Sequence, residues 1–198
     1  MRILQGLIAV TLLGTVGCAS KDTEPAQQLA QAAHDANVKL KDLKSQDVVF
    51  TRDVMTDLVH PIETTGNRFI AQLAEWGDPQ KSDVASFRSQ VPEIQAAARE
   101  LNTFLGAFGI DPRTYDPKAL ISTDLGSESG YWKIALCDAA VVAAGVTCAA
   151  GCSLLAPEAA PLCIDACHLA ADAGIAACNN LSCWDDTGCG CDDTCGYY

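Results

Sequence analysis

The sequence predicts an all-α protein: an N-terminal helical bundle, a disulfide-stapled antiparallel α-hairpin and a short cysteine-rich irregular tail. Three observations carry this expectation. Apolar residues recur at steps of three and four through the first half of the chain, the period of an amphipathic helix. Six cysteines in the second half fall at helical spacing in two mirror-image trios. The chain of 198 residues is 49% hydrophobic and 19% charged, a composition that supports a packed core.

Residues 1–17 hold one positive charge, Arg2, then an uncharged and mostly apolar run, then small residues. That is the pattern of a secretory signal peptide, too short for a stable spanning helix. Its end, Gly14-Thr15-Val16-Gly17-Cys18, resembles the lipobox of bacterial lipoproteins, with Thr15 where Leu is usual. The resemblance implies cleavage before Cys18, diacylglycerol on its thiol and an acylated amine, hence a membrane partner reached through a lipid anchor of several acyl chains. By the sorting rule of Gram-negative lipoproteins, Ala19 in place of Asp implies the outer membrane. A secreted protein with an ordinary Cys18 is the alternative.

Residues 18–130 are expected to form a helical domain. Leu29, Ala33, Ala36, Leu40 and Leu43 step by four, three, four and three, after the start signals Thr23 and Pro25. Val84, Phe87, Val91, Ile94, Ala98, Leu101, Leu105 and Phe108 form a second stripe that Pro92 interrupts, so a kink or break is expected there. Between them Val54, Leu58, Phe69, Ile70, Leu73 and Trp76 predict one or two further helices separated around Pro61 and Gly66. An antiparallel bundle of three or four helices fits these stripes. His34 and His60 are read as solvated or helix-end residues.

Residues 131–198 are expected to form a second, disulfide-rich domain. Its composition shifts abruptly: one basic residue, Lys133, stands against eight acids, and ten of the eleven cysteines lie here. With Cys18 assigned to lipid, the remaining ten form an even set in an oxidising compartment, where bridges are the default. Cys137, Cys148 and Cys152 lie at offsets 0, 11 and 15; Cys163, Cys167 and Cys178 lie at 0, 4 and 15. Each trio therefore occupies one helical face. Residues facing each other across antiparallel helices have a constant sum of numbers, and one nested set satisfies that condition: Cys152–Cys163, Cys148–Cys167 and Cys137–Cys178.

A disulfide holds Cα atoms about 5.5–6 Å apart, whereas packed helices usually lie about 8–10 Å apart axis to axis, so the seam needs small residues. It has them: Val141 is expected opposite Gly174, Ala144 opposite Ala171, and Gly145 opposite Ala170. The link Ser153–Leu162 contains Pro157 and Pro161, which end one helix and start the next. Metal ligation is the alternative for the Cys-x-x-x-Cys pairs, with His168 nearby, but thiolate sites belong to reducing compartments, and no metal or cofactor is expected. The uncharged run Ala139–Pro157 approaches transmembrane length, yet its Ala, Gly, Cys and Thr content favours a soluble hairpin. Ile134, Leu136, Val142, Val146, Leu154, Ile164, Leu169 and Ile175 remain to be covered, either by the N-terminal bundle or by a protein or target-membrane partner.

The tail repeats Asp185-Asp186-Thr187 before Cys189 and Asp192-Asp193-Thr194 before Cys195. Cys183, Cys189, Cys191 and Cys195 are expected to bridge; joining Cys189 to Cys191 would be strained, and the two other pairings stay open. The acidic pairs match no cation-loop motif and are read as solvated turns.

The formal charge of −12 and a pI near 4.4 exclude a nucleic-acid partner, which demands clustered Lys and Arg. Three scattered histidines, and no nucleophile spaced with its base, give no catalytic residue, so the protein is not read as an enzyme.

The segment AAGVTCAAGCS, with Cys137 upstream, is similar to the start of the halocin C-eight type bacteriocins, through Cys137, Ala143, Ala144, Gly145, Cys148, Gly151, Cys152 and Ser153. Ten cysteines in this part fit that family as well, while the spacing departs from it after Ser153. The resemblance implies a compact disulfide-rich helical module, released from a longer precursor and able to harm competing cells, with the upstream part serving immunity. An outer-membrane lipoprotein with a structural or interaction role and no toxicity is the second functional reading.

Overall fold

A computed structural model describes residues 24–78, 80, 83–112 and 130–181. Six helices and no strand occur among them: α1 (Pro25–Ser45), α2 (Arg52–Gly77), α3 (Val84–Ser89), α4 (Val91–Gly106), α5 (Gly130–Cys152) and α6 (Ala160–Leu181). Residues 1–23, with the signal segment, Cys18 and Thr23, lie outside the described residues. So do 182–198, with Cys183, Cys189, Cys191 and Cys195.

In α1, Pro25 occupies the first turn, where its missing N–H costs nothing; of the expected stripe Leu29, Ala33, Ala36 and Leu40 are buried and Leu43 is half-buried, and Ala26 joins them. The Thr51 hydroxyl accepts from the Val54 N–H at 3.5 Å and starts α2. That helix then runs unbroken for 26 residues through Pro61 and Gly66. Pro61 faces solvent, while Met55, Leu58, Ile62, Phe69, Leu73 and Trp76 stay buried before and after it. Burial of that continuous face outweighs one lost backbone bond. Gly66 is a point of close approach: a Cβ there would lie 2.6 Å from Cγ2 of Val142.

The break in the second stripe falls at Gln90, just before Pro92. Asp83 caps α3 by accepting the Ser86 N–H at 2.9 Å. Pro92 sits in the first turn of α4, so it initiates a helix instead of kinking one.

The helices assemble around one core. Arg68 donates to Gln28 at 3.1 Å and Lys39 to Asp57 at 3.3 Å, a constant sum of numbers that makes α1 and α2 antiparallel. Asn37 reaches the backbone carbonyl of Glu100 at 2.9 Å and Lys44 that of Ala107 at 3.1 Å, a constant difference that makes α1 and α4 parallel. α5 packs on both α2 and α4 and completes the fourth side of the bundle; α6 packs on α5 and α2. Leu136, Val142, Val146 and Ile164 thus enter the same core as Leu29, Phe69 and Leu101. The apolar face of the hairpin fills the groove that α2 and α4 leave open.

Gly77, at the end of α2, meets the backbone of α6: a Cβ would lie 2.8 Å from both Cα and N of Asp165. Backbone cannot rotate aside as a side chain can. Gly77→Ala is therefore expected to lower the stability to urea by about 1–3 kcal/mol through forced separation of α2 and α6. Gly106→Ala, with nothing within 4 Å among the described residues, is expected to leave it unchanged or raised by about 0.5 kcal/mol.

Candidate functional site

The α5–α6 seam is where the distinctive chemistry of the chain collects. Sulfur–sulfur bonds join Cys137 to Cys178, Cys148 to Cys167 and Cys152 to Cys163, with Cα atoms 5.7 Å apart in each. These are the pairs with constant number sum, and their decreasing order on α6 makes the two helices antiparallel. Equal spacing at all three rungs means that the axes do not splay over the 15 residues from Cys137 to Cys152, about 22 Å of helix.

Small residues permit that approach. Val141 Cγ1 would touch a Cβ at Gly174 at 2.8 Å, so valine fills what glycine leaves vacant, as the mirror register expects. A Cβ at Gly145 would lie 3.4 Å from Cβ of Ala171, one residue from the expected Ala170; both alanines line the same shallow groove of about 260 Å³ between the outer and middle rungs. Helices that twist about each other share each position between two neighbours.

Exposure differs sharply among the rungs. Cys137, Cys178, Cys152 and Cys167 are buried, Cys163 is half-buried, and Cys148 is open to solvent. The Sγ atoms of Cys152 and Cys167 are 3.5 Å apart, so the inner and middle bridges touch. With Cys148 they form a cluster of sulfurs within 4.8 Å. A metal ligand must be thiolate, and bridged sulfur is not, so this cluster in the oxidised protein serves as covalent staple.

Asp138, beside the outer rung, is the site residue that sequence reasoning passed over. It is 7% exposed, and its Oδ1 has no hydrogen-bond partner among the described residues. Burial, with the nearby Glu63 carboxylate adding repulsion, raises its pKa to about 7. Its signal was available: it is the sole charge between Lys133 and Glu158, on a helix whose neighbours are apolar.

The three histidines are dispersed. His34 pairs with Glu100 at 3.5 Å and His60 with Glu63 at 3.9 Å, both on exposed surface. His168 Nε2 lies 3.1 Å from the Asp172 carboxylate one turn on. Compared with protein-family models, with curated proteins and with solved structures, the chain matches none. The likeness to halocin C-eight type bacteriocins therefore rests on the sequence pattern alone, the residues Cys137–Ser153 and the ten cysteines of residues 131–198.

Proposed function

We propose that this protein is an envelope lipoprotein, anchored through Cys18 in the outer membrane, and that its stapled hairpin is a halocin-like module working as part of the whole chain. The observation that carries the reading is the division of the cysteines: one beside a signal-like segment, ten clustered far downstream. The three bridges of the seam support an oxidising compartment. Antibacterial action in this reading is delivered at contact by the displayed protein, because release of the hairpin would strip Leu136, Val142, Val146 and Ile164 of their cover.

That same shared core favours the second reading, a non-toxic structural or interaction lipoprotein, since it spends the apolar face of the hairpin on α2 and α4. Growth inhibition separates the two: cells displaying the full chain should impair related bacteria in mixed culture on a surface, and unimpaired growth leaves the second reading. The anchor is tested apart from toxicity. Radiolabelled palmitate should enter the wild-type protein and be lost from Cys18→Ser, which should also move from the membrane to the soluble fraction; an unlabelled wild-type protein refutes the lipoprotein reading.

A further inference from the structure

The register of the bundle fixes which elements share an end. α2 finishes at Gly77 against Asp165 near the start of α6. Arg88, at the end of α3, donates to the carbonyl of Leu155 at 3.3 Å in the α5–α6 link. Because α1 runs antiparallel to α2 with Gln28 beside Arg68, Glu24 falls level with Gln72, within two turns of Gly77. The entry to α1 and the α5–α6 link therefore lie at one end. The α1–α2 turn, with the exposed Val49, and the end of α4 lie at the other, where Lys44 meets the carbonyl of Ala107.

At this end the α5–α6 link and the start of α6 hold leucines in solvent. Leu154 is 86% exposed and Leu162 is 69% exposed, with Leu155 partly exposed between them. From there an outward stripe continues along α6 through Ala166, Leu169, Ala173 and Ala176, at steps of three and four and all exposed. This helix is apolar and long enough to cross a membrane by length and composition. Among the described residues the charges beside these leucines are mixed, Glu158 and Asp172 against Arg88, so attraction to anionic headgroups is not the driving force; removal of leucine from water is.

Five residues, 19–23, separate the anchor cysteine from Glu24, and the six steps from Cys18 to Glu24 extend at most about 22 Å. An acylated Cys18 thus holds the membrane close to this end and away from the Val49 end. We propose that the end bearing Leu154, Leu155 and Leu162 seats on the phospholipid bilayer, with the leucines below the headgroups and the α6 stripe leading away from it. The inference rests on the anchored reading of Cys18 and adds the orientation of the protein on its membrane.

The test tethers the oxidised chain from residue 18 onward, through the Cys18 thiol, to vesicles of phosphatidylethanolamine and phosphatidylglycerol carrying a maleimide lipid. A dansylalanine replaces Leu162 in one sample and Val49 in another. On tethering, the probe at 162 should shift to the blue, become quenched by brominated acyl chains, and have its quenching by aqueous iodide at least halved, while the probe at 49 stays as in solution. Leu154→Asn with Leu155→Asn should restore iodide access at 162; far-ultraviolet circular dichroism checks that the helices persist. Equal iodide access at 162 before and after tethering, or burial of the probe at 49 instead, overturns the proposal. Because this tether is chemical, a negative palmitate result would refute natural anchoring without altering what the vesicles report about the leucines.

Discussion

Replacing the outer rung, Cys137→Ala with Cys178→Ala, is expected to lower unfolding stability by about 3 kcal/mol, read from the urea midpoint without reductant. This bridge spans 41 residues of chain, but the middle bridge at 19 has already shortened the loop that it closes, to about two dozen residues. Both outer cysteines are wholly buried, so loss of their sulfurs adds a packing cost. Removing the middle rung, Cys148→Ala with Cys167→Ala, should cost less. The outer and inner bridges hold its segments already, and Cys148 is exposed. Equal losses from the two double variants would show that the rungs act independently, contrary to a nested loop account.

Asp138→Asn is expected to stabilise the protein in a pH-dependent way. The folded carboxyl titrates at about 7, against a usual value of 3.8, because burial and Glu63 disfavour its charge. Between these limits the unfolded chain releases a proton that the folded chain keeps, so stability falls as pH rises through the window. Below pH 4 both states are protonated and nothing is lost; above pH 7 the loss is complete. At pH 8 the neutral variant should therefore exceed wild type by up to about 3–4 kcal/mol, and near pH 4 the two should converge. Urea titrations at both ends of the range check this. A constant difference would mean that the substitution acts through packing and not through ionisation.

Much of the hairpin was legible because covalent geometry leaves few solutions. Six cysteines on two helical faces admit one antiparallel register, and the small residues between them meet the spacing that bridges demand. The stripes of α1 and α4 were legible for a similar reason, since their apolar period repeats over several turns. Pro61 and Gly66 misled as boundaries because local signals record only a local cost. Ile62, Phe69 and Trp76 gain more from remaining on one buried face, and Val142, 76 residues downstream, is what Gly66 accommodates. The role of α5 as the fourth side of the bundle was not written in its own periodicity, because this helix is apolar almost all round. Only the shape of the groove between α2 and α4 chooses which side it presents. Asp138 was hidden by a similar blindness: a carboxylate looks alike in solvent and in a core until its neighbours are known.

The bridges enclose one another like parentheses, and none threads a loop made by another. Oxidation can thus begin at the turn, where the two thiols are separated by only 11 residues, and proceed outward, each closure delivering the next thiols to each other. A mispaired intermediate can be undone by thiol exchange without pulling any segment through a ring, so correct lacing tolerates error along the way.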